Sequence, residues 1–192
     1  MKVLFLGKNG SSLRSFLSAE GVAVVQREEP IDVEWLVKCD PDLIISYGYR
    51  HFIRKPVIVS ARRPIINLHV SLLPWNRGAD PNLWSFLEDS PKGVTIHEMD
   101  AGLDTGPIIA QEVVDFVSPH DTLATTYQIL SEAIEDLFRR WWGRIKVGNY
   151  IARQQPQGGS YHRAADKEQF QFLLADGWNT RVLDLVGKAK VG

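Results

Sequence analysis

The stretch Ile65-Ile66-Asn67-Leu68-His69-Val70-Ser71-Leu72-Leu73-Pro74 is an apolar run interrupted by two polar side chains, Asn67 and His69. Side chains two positions apart lie on the same side of a β-strand, so the amide and the imidazole point together. A buried strand that ends in such a pair indicates a functional site at its carboxyl end. Asp104 follows later in the chain, in the glycine-flanked loop of residues 102–106, where a carboxylate could orient the imidazole.

Short apolar segments on both sides of this stretch alternate with helical segments. We predict strands at residues 3–6, 22–25, 43–46, 65–68, 93–99 and 108–114. We predict helices at residues 13–20, 31–39 and 80–88, and a long helix that starts at residues 118–121. Strands separated by helices are typical of an α/β fold with a mostly parallel sheet covered on both faces. In such sheets ligands bind beyond the carboxyl ends of the strands.

The chain divides in composition near residue 150. We expect one domain over residues 1–150, followed by a linker and a short C-terminal extension over residues 151–192. The stretch after Gly148 is polar, and the apolar residues that follow are too few for an independent domain.

Charge and composition exclude several classes of function. The 192 residues carry a formal net charge of −1 without an extended basic run, which argues against a nucleic-acid partner. No stretch has the length needed to span a membrane. Cys39 is the only cysteine and no signal peptide is evident, so we expect a cytoplasmic protein. No spacing of histidine, cysteine and carboxylate residues suggests a metal site.

Asn67, His69 and Asp104 together suit acyl transfer to an amine. The amide can donate a hydrogen bond to a developing oxyanion, the imidazole can accept a proton, and the carboxylate can fix the charge and tautomer of the imidazole. Close pairing with Asp104 would raise the pKa of His69. Taken singly, the Asn-x-His pair also fits a hydrogen-bonded structural pair, and Asp104 fits a turn residue. His97 fits a packed strand histidine better than a site residue.

Four motifs in this order resemble the folate-dependent formyltransferase family. They are residues 67–74, Arg77-Gly78, residues 93–95 and residues 102–106. The family includes glycinamide ribonucleotide transformylase, methionyl-tRNA formyltransferase and the amino-sugar N-formyltransferases, and the resemblance covers roughly residues 1–150. It implies a single Rossmann-like domain, with 10-formyltetrahydrofolate as co-substrate and Asn67, His69 and Asp104 as catalytic residues. Val70 stands where the purine enzymes generally have proline, so the motifs are most similar to the amino-sugar enzymes.

The same resemblance implies two sets of binding residues. For the folate they are Phe52, Ile53, Arg54, Met99, Asp100, Gly102 and Asp104. For the acceptor we predict Gly10, Ser11, Ser71, Asn76, Arg77, Asp80 and Asn82. The loop that contains Gly10 and Ser11 precedes a helix and could bind a phosphate through backbone N–H groups, although a plain strand-to-helix turn fits equally well.

Alternatives to a sugar N-formyltransferase remain open. Glycinamide ribonucleotide could be the acceptor, water could replace the acceptor in a 10-formyltetrahydrofolate hydrolase, or the protein could bind folate or a nucleotide sugar without catalysis. A tRNA acceptor is disfavoured, because the chain lacks room for the C-terminal barrel of the methionyl-tRNA enzymes and its charge offers phosphates little attraction. A homodimer stays open as well.

Overall fold

A six-stranded sheet forms the centre of the computed structural model, which describes residues 1–7, 11–116 and 118–189. The strands of this sheet are β1 (Lys2–Leu6), β2 (Ala23–Arg27), β3 (Leu43–Tyr47), β4 (Ile66–His69), β6 (Gly93–Glu98) and β7 (Ile108–Val113). Two short strands, β5 (Arg77–Gly78) and β8 (Tyr161–His162), form a separate sheet. The α-helices are α1 (Ser12–Ala19), α2 (Val33–Cys39), α3 (Lys55–Ser60), α4 (Pro81–Leu87) and α5 (Leu123–Val147). Three 3₁₀ helices follow at Ala164–Leu173, Gly177–Asn179 and Val182–Asp184.

The sheet has the order β2-β1-β3-β4-β6-β7. The first four strands pair in parallel, whereas β6 is antiparallel to both β4 and β7. Only β6 therefore runs against the others among the strands of this sheet that the structure describes. The predicted α/β class with a mostly parallel sheet is confirmed.

Helices cover both faces of the sheet and separate its buried side chains into two cores. Ile66 and Leu68 of β4 belong to the core beneath α1 and α5, and α2 and α3 cover the opposite core. Because side chains alternate along a strand, Asn67 and His69 point away from α5. The sheet itself thus directs this polar pair to the face opposite α5.

Two features of the helices differ from the prediction. The six-residue helix α3 was not predicted, because one short turn carries little periodicity. The long helix begins at Leu123 rather than at residues 118–121. Thr122 caps it by accepting a hydrogen bond from the Thr125 backbone N–H, and the Thr125 hydroxyl accepts one from the Thr122 N–H.

The segment after α5 returns to the middle of the chain. Tyr161–His162 pairs in parallel with Arg77–Gly78 to form the small sheet β5-β8. Val182 and Leu185 pack with α4 in a third apolar cluster. The predicted boundary near residue 150 stays a prediction, while residues beyond it contact Asp104 and Asn76. None of the described helices has the length and hydropathy needed to cross a membrane.

Candidate active site

The two central strands β4 and β6 bring four polar side chains onto one face. Asn67 lies opposite His97, and His69 lies opposite Thr95 in the antiparallel register. Asp104 reaches this face from the loop between β6 and β7. The Asn67 amide Nδ2 donates to Asp104 Oδ1 at 3.2 Å, and His69 Nδ1 lies 3.8 Å from Asp104 Oδ2. The structure therefore brings the three predicted catalytic residues together.

The loop that carries Asp104 is held by its own side chains. Asp100 Oδ1 accepts hydrogen bonds from the Gly102 N–H at 3.0 Å and from the Thr105 hydroxyl at 2.7 Å. Gly106 passes so close to the end of β6 that a Cβ atom would lie 1.8 Å from a backbone oxygen. A side chain at Gly106 would push the loop, and with it Asp104, away from the strand.

His97, for which the sequence favoured a packed strand histidine over a site residue, also lies in the site. Its Nδ1 lies 2.8 Å from the Glu98 carbonyl, which can only accept, so Nδ1 carries the proton. Its Nε2 can then accept from the Asn67 amide at 3.1 Å, and it lies 3.6 Å from Asp104. His97 is 1% exposed, so it is packed as expected and also orients Asn67. The feature that could have identified His97 as a site residue is its position on the face of β6 that adjoins Asn67 and His69 of β4.

The charge state of the site follows from burial and from these contacts. Burial alone would raise the pKa of Asp104, but His69, His97 and the Gly78 N–H at 2.8 Å hold that pKa well below its usual range. For His69, burial lowers the pKa, and the charge of Asp104 opposes this shift without overcoming it. Asp104 therefore acts on His69 in the expected direction, but burial outweighs it. At neutral pH Asp104 is ionised and His69 is neutral.

The tautomer of His69 follows from its second ring nitrogen. His69 Nε2 lies 3.2 Å from the backbone carbonyl of Asn76, so Nε2 donates to it. Nδ1 is then the basic atom, and it faces the carboxylate of Asp104. An imidazole in this setting can take a proton and have the resulting charge stabilised by Asp104.

Gln155 joins the loop of Asp104 to the strand β5. Its amide donates to the backbone carbonyls of Asp104 at 2.7 Å and of Gly106 at 2.9 Å. Its side-chain oxygen accepts from Arg77 Nε and Nη2 at 3.0 and 2.7 Å. Sequence reasoning missed Gln155 because it lies in the polar stretch interpreted as a linker.

The predicted acceptor residues find partners within the protein. The Ser71 hydroxyl donates to the Trp75 carbonyl, and the Asn82 amide donates to the Leu123 carbonyl. Both side chains are buried, as is Asn76. Asp80 pairs with Lys167, Ser11 caps α1, and Gly10 lies outside the described residues. Their contact with an acceptor stays a prediction, and Arg77 is the member of the set tied most directly to the Asp104 loop.

The predicted folate residues divide into exposed and buried ones. Phe52 is 64% exposed, and Arg54 is exposed at the start of α3, so both can meet a ligand. Ile53 is 2% exposed and packs in the core with α2 and α3, and Met99 packs against the same core. Among these four residues, Phe52 offers a ring face to a planar heterocycle.

Two of the cavities in the described part of the structure lie along the central sheet. One of about 420 Å³ lies at the carboxyl ends of β1, β2 and β3. Its lining residues are Gly7, Glu28, Glu29, Pro30, Gly48, Tyr49, Arg50 and His51. A second, of about 790 Å³, runs along β7 beside the end of α5. The described residues contain no group of histidine, cysteine and carboxylate side chains that could hold a metal ion.

Known proteins share this sequence pattern and this fold. The family model described as "Formyl transferase" matches residues 12–140. The formyltransferase PseJ from Anoxybacillus kamchatkensis, solved with UDP-4,6-dideoxy-4-formamido-L-AltNAc and tetrahydrofolate, is 49% identical with a TM-score of 0.94. That match covers 99% of this chain and 100% of PseJ.

Two further structures share the fold at lower identity. A 4-N formyltransferase from Francisella tularensis is 24% identical with a TM-score of 0.77, covering 88% of this chain and 78% of that one. An N-formyltransferase from Helicobacter canadensis, in complex with folinic acid and dTDP-3-aminofucose, is 22% identical with a TM-score of 0.69. That match covers 86% of this chain and 72% of the other.

Proposed function

Since the chain belongs to the formyl transferase family, we propose that it transfers a formyl group from 10-formyltetrahydrofolate to the amine of a nucleotide-linked amino sugar. The family predicted from the sequence motifs is confirmed, and the protein is a folate-dependent N-formyltransferase. PseJ contains a UDP-linked 4-formamido sugar beside tetrahydrofolate, which are the two products of such a transfer. The 49% identity over 99% of the chain is the observation that carries the choice of a UDP-linked 4-amino sugar as acceptor.

The proposed mechanism assigns one task to each catalytic residue. Asn67 donates a hydrogen bond to the oxygen of the formyl group as the acceptor nitrogen attacks its carbon. Both Asn67 donors are engaged with Asp104 and His97, so Asn67 exchanges one of these bonds for the oxyanion. His69 Nδ1 accepts the proton that the amine loses, and Asp104 stabilises the imidazolium. The bond between the formyl carbon and N10 of the folate then breaks, and N10 takes the proton that His69 accepted from the amine.

The shape of the site supports an acceptor larger than an amine alone. The 420 Å³ cavity lies at the carboxyl ends of β1, β2 and β3, and β3 is the direct neighbour of β4. Nucleotides bind at this edge of open α/β sheets. We assign this cavity to the nucleotide part of the acceptor. The exposed ring of Phe52 and the loop of Asp104 are left for the folate, as the family resemblance implies.

The proposal is tested by measuring tetrahydrofolate release with a panel of acceptors. The panel contains a UDP-linked 4-amino sugar, a dTDP-linked 3-amino sugar, glycinamide ribonucleotide and a sample without acceptor. Turnover with the first and little with the others is the expected result. Turnover without acceptor would establish a hydrolase, and turnover with glycinamide ribonucleotide would contradict the sugar acceptor.

A variant links this activity to the site. His69→Ala is expected to abolish transfer and to keep the fold, as judged by its circular dichroism spectrum. His120→Ala, in an exposed turn before α5, is the matched control with unchanged turnover. A fully active His69→Ala enzyme would contradict the catalytic assignment, and an inactive wild type that binds folate would favour a binding role.

A cytoplasmic location, a partner set without nucleic acid or membrane, and a homodimer remain proposals. The near-neutral charge and the single Cys39 support the first two. Trp141, half-buried at the end of α5, is a candidate contact for the dimer.

A further inference from the structure

A partly buried polar cluster lies next to His69, and the proposed mechanism does not use it. We call it the Glu88 cluster; its members are Asn76, Glu88, Ser90, Ser160 and His162. They come from β5 and its approach, from the end of α4 and from the segment that forms β8. The cluster therefore joins three parts of the chain next to the catalytic histidine.

Asn76 is the centre of the cluster and the member that touches His69. It is fully buried and has a left-handed backbone, with φ at 56°. Its backbone N–H donates to Ser160 Oγ at 3.0 Å, and its side-chain oxygen accepts from the Ser90 hydroxyl at 2.9 Å. Its carbonyl receives His69 Nε2 at 3.2 Å. Every polar atom of Asn76 thus has a partner, so its orientation is fixed in all directions.

Glu88 supplies the charged acceptor that holds this arrangement. Its Oε2 accepts from the Asn76 amide at 3.1 Å and from the Ser160 hydroxyl at 2.6 Å. Its Oε1 lies 3.0 Å from His162 Nε2, without the alignment of a hydrogen bond. Hydrogen bonds to an ionised acceptor are about twice as strong as neutral ones, so the carboxylate contributes most to holding Asn76.

His162 closes the cluster from the other side. Its ring stacks on Trp84 with centroids 3.7 Å apart and an interplanar angle of 4°. Its backbone carbonyl accepts from the Ala79 N–H at 2.9 Å within the β5-β8 pairing. The stacking and the strand pairing keep His162 against the second oxygen of Glu88, so the carboxylate has little freedom to turn away from Asn76.

We infer that Glu88 is a positioning residue for formyl transfer, because it fixes through Asn76 the carbonyl that orients the catalytic His69. Because His69 is the proposed proton acceptor, this role rests on the proposed function. The chain of contacts runs from Glu88 Oε2 to the Asn76 amide and from the Asn76 carbonyl to His69 Nε2. It selects the tautomer in which Nδ1 is free to accept a proton.

Loss of the carboxylate acts on His69 in a defined way. Asn76 and Ser160 lose a shared acceptor, the Asn76 carbonyl shifts, and His69 no longer has a fixed partner at Nε2. The ring then samples the tautomer with the proton on Nδ1, and in that tautomer Nδ1 cannot accept the proton of the amine. Misplacement of a catalytic group by about 1 Å costs about 100-fold in rate, so we expect a kcat loss of about 10- to 100-fold.

The test compares two substitutions at Glu88. Glu88→Met keeps the length of the side chain and removes both acceptors, whereas Glu88→Gln can still place an oxygen at the Oε2 position. We expect Glu88→Met to lower kcat about 10- to 100-fold with KM for both substrates within about twofold, and Glu88→Gln to recover most of the rate. Glu34→Met, at an exposed position of α2, is the control with unchanged kcat.

A double-mutant cycle with His69→Gln shows whether the effect passes through His69. Residues that act as one unit have non-additive effects, so Glu88→Met should lower kcat no further in the His69→Gln enzyme. The ¹⁵N chemical shifts of the His69 ring provide a readout that a purely structural role would not move. They should show the Nε2-protonated tautomer in the wild type and a mixture in Glu88→Met.

Each outcome separates this role from the proposed function. A folded Glu88→Met enzyme with wild-type kcat, or the same fractional loss in the His69→Gln background, would overturn the positioning role alone. Wild-type turnover by His69→Gln would instead overturn the proposed proton acceptor. If Glu88→Met does not fold, Ser160→Ala removes one link of the cluster and takes its place in the cycle and in the ¹⁵N measurement.

Discussion

Replacing Asp104 with asparagine removes a buried charge and leaves the shape of the side chain almost unchanged. Asp104 has 9% of its side chain exposed and accepts from the Gly78 N–H and the Asn67 amide through different oxygens. An asparagine has one oxygen, so it can keep one of these two bonds. When the oxygen keeps the Gly78 bond, the NH₂ group faces the Asn67 donor, and Asn67 loses one of the two partners that hold its amide.

The expected losses follow from these contacts. A hydrogen bond to a charged group contributes about 1.5–3 kcal/mol, so the free energy of unfolding of Asp104→Asn should fall by about that amount. For a chain of this size each kcal/mol lowers Tm by about 2–4 °C, which gives a decrease of about 3–12 °C. General acid–base catalysis is worth about 10²–10⁴, so kcat should fall at least about 100-fold because the His69 imidazolium loses its counter-charge.

The effect on stability should depend on pH with a defined sign. The folded-state pKa of Asp104 lies below its unfolded value, so the carboxylate stabilises the fold above the unfolded pKa of about 3.9. This contribution is lost as the pH falls toward the folded-state pKa. The difference in Tm between wild type and Asp104→Asn should therefore be largest near pH 7 and should shrink below about pH 4.

The assay combines initial rates of tetrahydrofolate release with thermal unfolding from pH 3 to pH 8. Asp184→Asn removes a carboxylate from an exposed pair with Arg181 and is the control, with a change in stability within about 0.5 kcal/mol. A folded Asp104→Asn enzyme with more than one-tenth of wild-type kcat would refute the assigned role of the charge. A Tm difference that stays constant down to pH 3 would refute the ionised state of Asp104 in the fold.

Three further predictions follow from the site and its supports. Burial lowers the pKa of His69, so activity should fall on the acidic side with a midpoint below about 6.5, and a midpoint above 7 in a kcat–pH profile would contradict this. Gln155→Ala removes four hydrogen bonds to the Asp104 loop and β5, so kcat/KM for the acceptor should fall about 10-fold or more. An unchanged kcat/KM at saturating folate would show that the Asp104 loop keeps its position without Gln155. Gly158 and Gly159 both have positive φ, but only at Gly159 would a Cβ meet the Pro74 carbonyl oxygen, at 2.0 Å. Gly159→Ala should therefore lower Tm clearly more than Gly158→Ala, and equal decreases in Tm would count against the close approach.

The sheet and the proposed catalytic residues could be predicted from the sequence because both depend on local patterns. The strands are short apolar runs, and the alternation along β4 places Asn67 and His69 on one face whatever surrounds them. Asp104 was found through the glycines that flank it. Its closeness to His69 was inferred from the motifs, whereas the antiparallel pairing of β4 with β6 that brings the loop there was not predicted.

The supports of the site could not be predicted in the same way. Gln155 and His162 stand in segments without periodicity, whereas Glu88 ends the predicted helix of residues 80–88. Each of the three acts through a partner more than ten positions away. Polar residues in loops look alike in a sequence whether they face solvent or a buried carbonyl. His97 is an intermediate case, since its face on β6 was predicted and its contact with Asn67 was not.

The pairing of β5 with β8 also sets the order of events during protein synthesis. Arg77–Gly78 leaves the ribosome well before Tyr161–His162, and the intervening chain takes roughly 4–16 s to make at 5–20 residues per second. During that interval the sheet of β1 to β4 can form, while Asn76 still lacks Ser160 and Gly78 still lacks the strand β8. The contacts of the site with residues 155–162 are therefore completed last, and a nascent chain that lacks this segment holds Asn76 and the Asp104 loop without Ser160 and Gln155.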